Sequence, residues 1–229
     1  MVLTENTSSQ PLVSVHDLYR FYHAGDDETF ALRGVRLTAH PGEFLVIIGP
    51  SGSGKSTLLS CIAGLDEPDG GHVVVAGQRI TRRPEQVRAA LRGRTIGILL
   101  QSGNLLEHLT VAQNVRIAQQ LSSKPGRPKV GALLEAVGLA ARASAYPSTL
   151  SGGESARAGL AVALANDPVV LLADEPTGEL HFDDEQRVLE LLRAHAAKGA
   201  ALITVSHSQR VASAADRVLE LVDGRVVDG

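Results

Sequence analysis

The sequence predicts an α/β chain: a mostly parallel sheet with helices, an antiparallel β portion ahead of it, and a helical lobe inserted near its middle. Three observations carry this. Continuous apolar runs of strand length, "FLVIIG" and "VVLLA", read as strands buried on both faces. Strand-like and helix-patterned segments alternate through short loops, as in chains that build parallel sheets. Residues 85 to 165 change character and become largely helical before strands return at Val169. A chain of 229 residues can bury a full core as one large domain, or as one domain with a lobe.

Taken in order, residues 1 to 11 are polar and acidic. They read as a disordered tail rather than a secretory signal, which would be basic and then apolar. "LVSVHDL" and "ALRGVRLTA" alternate as strands, with the polar stretch "HAGDDET" (23–29) as the turn between them. "GEFLVIIG" (42–49) is a continuous strand leading through a Gly-rich loop into "KSTLLSCIAGL", a helix closed by Gly64. "HVVVAG" is another strand. The domain is expected to run from 12 to 229, with its core at about 12–95 and 166–229 and the helical lobe at about 96–165, broken by "KPGRPK". The second half of the core reads as the strand "VVLLAD", the helix "DEQRVLELLRAHAAKG", the strand "ALITVSH", a helix near 208–215 and the strands of "RVLELVDGRVV".

Composition narrows the class. A net charge of -3 lacks the basic excess of nucleic-acid binders, so no nucleic-acid partner is expected. The one cysteine, Cys61, lies in "LLSCIAGL" and reads as an inert core residue of a chain from a reducing compartment. No apolar run approaches the roughly 18 residues that span a bilayer. The chain is expected to be cytoplasmic, with any membrane contact made through a partner. Arg79, Arg82, Arg83, Arg88, Arg92 and Arg94 read as a solvated basic face. The histidines show no metal-ligand spacing, so no zinc site is expected.

"GPSGSGKS", residues 49 to 56, matches the phosphate-loop pattern G-x-x-x-x-G-K-[ST], with the required strand before it and helix after it. Inward-pointing backbone N–H groups of Gly49, Pro50, Ser51, Gly52, Ser53 and Gly54 (proline excepted), together with the helix start at Lys55, Ser56 and Thr57, would cradle phosphates. Gly52 and Gly54 permit close approach. Lys55 would reach the β- and γ-phosphates, and the Ser56 hydroxyl would ligate Mg²⁺. A nucleotide bound with Mg²⁺ is therefore expected, and the loop alone does not say which phosphate-loop enzyme this is.

In "VVLLADEPTGELH" (169–181) a buried strand delivers two adjacent acids. In phosphate-loop proteins an acid at the end of a second apolar strand helps hold Mg²⁺, and Asp174 occupies that place. Glu175 is then free to orient or deprotonate a water. Between the two motifs lies "LSGGE" (150–154), where Ser151 and Glu154 form a capping-box pattern ahead of an amphipathic helix. Such a glycine-containing helix start is also a good phosphate contact.

A phosphate loop, then LSGG about a hundred residues later, then an apolar-D-E strand resembles the ATP-binding cassette (ABC) ATPases over the whole chain beyond the tail. "NLLEHLTVAQNV", "YPSTLSGGE" and "LLADEPTGEL" look most like the lipoprotein-releasing and macrolide-exporter group. The resemblance implies the cassette fold and an ATPase that drives an integral membrane permease from the cytoplasmic face. Tyr22 would stack on adenine, Gln101 would sense Mg²⁺ where the lobe meets the permease, and His207 would contact the γ-phosphate. It also implies a head-to-tail dimer, with a like or unlike ATPase subunit, in which Ser151, Gly152, Gly153 and Glu154 contact the ATP of the opposite subunit. Gly178, Glu179, Leu180 and His181 would then form the interface loop. The chain departs from the family at His181, where an aspartate is usual, at Val162, where an arginine is common, and at Ser208, where an aspartate is frequent. A competent ATPase with altered coupling between sites is the expectation. The alternative is a non-transport cassette ATPase of the cell-wall signalling or iron–sulfur assembly type.

Overall fold

The computed structural model describes residues 10–24, 27–122, 124–178 and 180–227. In chain order the N-terminal half runs β1 (Val13–Ala24), β2 (Asp27–Ala39), β3 (Phe44–Ile48), α1 (Lys55–Ile62), β4 (Gly70–Val75), β5 (Gln78–Arg79), α2 (Glu85–Thr95) and β6 (Ile96–Leu99). Helices α3 (Val111–Gln120), α4 (Val130–Ala136) and α5 (Gly152–Ala163) follow. The chain then returns through β7 (Val170–Asp174), α6 (Phe182–Ala196), β8 (Ala201–Val205), α7 (Gln209–Ser213), β9 (Arg217–Val222) and β10 (Arg225–Val227).

Two sheets result. An antiparallel sheet has the order β2-β1-β4-β5, and a six-stranded sheet has the order β10-β9-β3-β8-β7-β6. In the larger sheet β9, β3, β8, β7 and β6 are mutually parallel, and β10 joins by an antiparallel pairing to β9. The pleat explains why the apolar runs are unbroken. Leu45 and Ile47 of β3, with Val170 and Leu172 of β7, face a core shared with α1 and the antiparallel sheet. Phe44 and Val46, with Leu171 and Ala173, face the opposite core under α5, α6 and α7. A third cluster unites α3, α4 and α5. Helix α5 serves both: Leu160 and Ala163 meet the sheet, while Ala158 and Ala161 face the lobe.

Three local expectations are corrected. The stretch read as a turn over 23–29 is largely strand, because Tyr22 pairs with Thr29 and Ala24 with Asp27, so cross-strand pairing overrides its polar composition. Residues 96–99 lie in the main sheet beside β7, not in the lobe expected to begin there. Four apolar residues after a helix carry no periodicity that separates strand from helix. The arginine stretch is partly structural: Arg88 bridges Glu67 at 3.0 Å and Glu85 at 2.8 Å, and Arg92 donates to the Gly64 carbonyl at 3.1 Å, where α1 ends. Of the tail expected at 1–11, residues 1–9 lie outside the described residues, and Leu12 already donates its N–H to Ala39.

Cys61 is buried and unpaired, and burial pushes its thiol up to about 12. His195 on α6 is also buried, with Nε2 2.9 Å from the Pro168 carbonyl. A carbonyl only accepts, so Nε2 carries the proton of a neutral ring. Burial lowers the His195 pKa, so the unfolded chain takes up this proton at a pH where the folded chain does not. The stability contributed by the neutral ring is then full above the unfolded pKa of about 6.5 and is lost as pH falls through the lowered folded value. Urea unfolding at pH 7.5 and 5.5 should show wild type losing more stability on acidification than His195→Gln.

Candidate functional site

The carboxyl ends of four neighbouring parallel strands open into one cleft of about 820 Å³. Beyond β3 comes the phosphate loop, beyond β6 comes Gln101, beyond β7 come the paired acids, and beyond β8 comes His207. Open α/β sheets place ligands at this edge because strand ends are where loops and polar groups can gather.

In the loop, Gly54 caps α1 at a φ of 101°, and a Cβ there would sit 2.2 Å from the Ala31 carbonyl oxygen. Glycine is therefore required for the loop to pack against β2. Ser51, Gly52, Gly54, Lys55, Ser56 and Thr57 line the cleft. Gly49, Pro50 and Ser53 do not line it. Lys55 Nζ donates to the carbonyls of Gly49 at 2.9 Å and Pro50 at 2.8 Å, so the loop encircles its own ammonium. Burial lowers the Lys55 pKa, opposed in part by the charges of Glu175 and Asp174.

Asp174 ends β7 in register with Val205, and Glu175 follows with φ 46°, a left-handed backbone uncommon for a residue with a long side chain. Its N–H still donates to Val205, which fixes that turn. The side chain is 15 % exposed. Ser206 Oγ donates to Glu175 Oε2 at 3.1 Å, and the His207 N–H does so at 3.3 Å. Glu175 Oε1 is buried without a hydrogen bond, and His207 Nε2 approaches it to 3.5 Å from a ring that is 57 % exposed. A carboxylate with one oxygen anchored and one unsatisfied in a polar cleft is arranged to accept a proton.

Tyr22 also lines the cleft; Arg20 lies 4.5 Å over its ring, and its hydroxyl donates to Asp66 at 2.7 Å. Burial and that carboxylate raise the hydroxyl's pKa. Gln101 completes the side nearest the lobe. Ser56, Gln101 and Asp174, the residues expected at Mg²⁺, all line the same space and offer hard oxygen donors, which suits that ion.

Ser151, Gly153 and Glu154 do not line this cleft, whereas Gly152 borders an adjoining groove of about 260 Å³ that also touches Gln101 and Glu175. The capping box is present: Ser151 Oγ accepts from the Glu154 N–H at 3.2 Å, and Glu154 Oε2 accepts from the Ser151 N–H at 2.9 Å. A Cβ on Gly153 would lie 2.1 Å from the Asp184 carboxylate, which itself pairs with Arg157. This contact brings the start of α5 against the first turn of α6. Gly178 and Leu180 reach the cleft, Glu179 lies outside the described residues, and His181 does not line the cleft. Sequence reading gave no role to Glu185, Thr177 or Ser206. Thr177 lies within "LLADEPTGEL" and Ser206 adjoins His207, whereas Glu185 sits in no motif.

The fold and this cleft define a phosphate-loop nucleotide-binding cassette. A family model described as "ABC transporter" matches residues 32–178, and the chain belongs to the ABC transporter family. It is 42% identical over 220 residues to the lipoprotein-releasing system ATP-binding protein LolD 1 of Rhodopirellula baltica, covering 94% of this chain and 96% of that protein. It is 41% identical to the macrolide export ATP-binding/permease protein MacB of Hyphomonas neptunium, covering 95% of this chain but 34% of that protein. The chain thus spans about a third of the MacB relatives it matches. Among solved structures, the dimeric post-hydrolysis state of the cassette MJ0796 bound to ADP and Pi superposes with a TM-score of 0.87 at 32% identity, covering 94% of this chain and 97% of that one.

His181 is the N-cap of α6, and its side chain makes no capping hydrogen bond. An imidazole reaches the first-turn N–H groups poorly, whereas a carboxylate accepts them and complements the helix dipole. His181→Asp should raise stability by about 1 kcal/mol in urea unfolding at pH 7.5.

Proposed function

We propose that this chain is the ATP-binding and ATP-hydrolysing subunit of a membrane transporter of the export or lipoprotein-release type. The supporting observation is the convergence of Lys55, Ser56, Gln101, Asp174, Glu175 and His207 on one cleft. Lys55 and the backbone of the loop hold the phosphates, and Tyr22 faces the base. Ser56, Asp174 and Gln101 would hold Mg²⁺, which when bound neutralises phosphate charge and polarises the transferred phosphoryl group. Glu175, anchored through Oε2, orients a water and accepts its proton through Oε1. His207 adds a donor toward the developing charge.

The reading extends to partners. Ser151 to Glu154 stand outside this chain's own cleft, as a segment serving the ATP of a second subunit would. The MJ0796 cassette is itself described as dimeric. The relative named as an ATP-binding/permease protein supports coupling to a permease. Leu65 and Leu100, both exposed and lining one small groove, give such a partner an apolar foothold. No helix of the described residues is long and apolar enough to cross a membrane, so the proposed place is the inner membrane face, held through the permease. One domain would then comprise the two sheets as core and α3 to α5 as the lobe.

Two measurements test this reading. Glu175→Gln should retain ATP affinity within about threefold, lower turnover by at least about 100-fold, and accumulate a closed dimer with ATP on size exclusion. Wild-type turnover in that variant removes Glu175 from the base role. Tagged chain from gently solubilised native membranes should carry a stoichiometric polytopic protein. Recovery only from the soluble fraction would favour a non-transport ATPase.

A further inference from the structure

Glu185 is 7 % exposed yet lines the cleft from the first turn of α6. Three side chains donate to its carboxylate. Thr177 Oγ1 at 3.3 Å and Ser208 Oγ at 2.9 Å reach Oε1, and Arg210 Nη1 at 2.8 Å reaches Oε2. Burial alone would raise its pKa, but the bonds from Arg210 and Ser208 outweigh it, and the group is held below the usual carboxylate range. The Arg210 guanidinium also lies 4.3 Å over the Phe182 ring, which ties it to the same helix.

The donors come from the two segments that frame the candidate base. Thr177 is two residues beyond Glu175, and Ser208 adjoins His207. A second set of bonds continues inward: the Ser208 N–H donates to Ser206 Oγ at 3.1 Å, and Ser206 Oγ donates to Glu175 Oε2 at 3.1 Å. A polar chain therefore runs from Glu185 through Ser208 and Ser206 to Glu175. A buried charge leaves its donors little freedom, because each lost bond would strand it in a poorly solvated place.

We propose that Glu185 is a positioning residue for hydrolysis, fixing Glu175 and His207 by clamping the Thr177 and Ser208 segments together. This rests on the ATPase reading above and adds a residue that no motif marks. Its effect passes through Ser208 and Ser206, so it should govern turnover far more than nucleotide affinity.

The test compares Glu185→Ala and Glu185→Gln in the full chain by steady-state ATPase kinetics and by amide hydrogen exchange without nucleotide. Glu185→Ala should lower kcat about 10- to 100-fold with KM for ATP within about twofold, as for a misplaced rather than a missing catalytic group. Exchange should accelerate at least about tenfold in residues 205–210 and 175–178, while β3 and α3 stay protected. Glu185→Gln keeps an acceptor for Thr177 and Ser208 and should retain kcat within about fivefold. A kcat for Glu185→Ala within twofold of wild type, or unchanged exchange at 205–210, overturns the proposal. If Ala at 185 prevents folding, Ser208→Ala removes the same bond from its other end, losing the Oγ that donates to Glu185 while keeping the N–H to Ser206, and should show the same pair of effects; wild-type kcat and exchange in that variant overturn it equally. If wild type itself does not hydrolyse ATP, the ATPase reading fails, and the exchange result alone decides whether Glu185 clamps the two segments.

Discussion

The constraint on which the structure depends is burial of the parallel sheet on both faces. With Leu45, Ile47, Val170 and Leu172 on one side and Phe44, Val46, Leu171 and Ala173 on the other, neither face can carry a polar group without desolvating it. Polar chemistry is thereby driven to the strand ends. Asp174 is the first residue of β7 that is not fully buried, and the loop after β3 begins one residue beyond Ile48. The cleft is a consequence of this apolar sandwich: four loops meet because their strands are neighbours, and on β7 the first acid stands where burial ends.

That logic also explains what was legible in the sequence. Runs that are apolar on both faces leave an unbroken signature, so β3, β7 and β8 and the residues at their ends could be read directly. The phosphate loop is local, since eight consecutive residues contain both its turn and its ligands. β6 was hidden because "IGIL" is short and follows directly on α2, so only its pairing with β7 reveals it. The two strands of the β1–β2 hairpin were legible, but their reach into 23–29 was hidden because that polar stretch pairs across strands. Glu185 was illegible for another reason. In sequence it is one of three acids opening α6, and nothing distinguishes it from Asp183 and Asp184 until Thr177 and Ser208, from separate loops, fold onto it.

The electrostatic state of the cleft follows from how its charges are held. Lys55 is satisfied by its own loop's carbonyls, yet those bonds are to neutral acceptors, and the ammonium is partly desolvated with two carboxylates near. Charge-assisted contacts to phosphate oxygens are stronger than bonds to carbonyls. A polyanion entering the loop therefore gains more than it displaces. Glu175 is the complement: one oxygen held by Ser206 and the His207 backbone, the other left without a hydrogen-bond donor. Both residues are held in place while retaining unspent interaction capacity, which is how a preorganised site differs from a merely polar one.

The first turn of α6 is where these arrangements meet. Asp184 packs against Gly153 and pairs with Arg157, linking the helix that begins at LSGG to the core. Glu185, the next residue, grips the segments beside the base and His207. His181, three residues before Asp184, leaves the helix start without a side-chain cap. A first turn pinned by two acids joins the start of α5 to the loop that follows Glu175, while the N-cap of the same helix contributes no side-chain bond. The histidine at 181 therefore bears on the cap of α6 and leaves the carboxylates of the cleft in place.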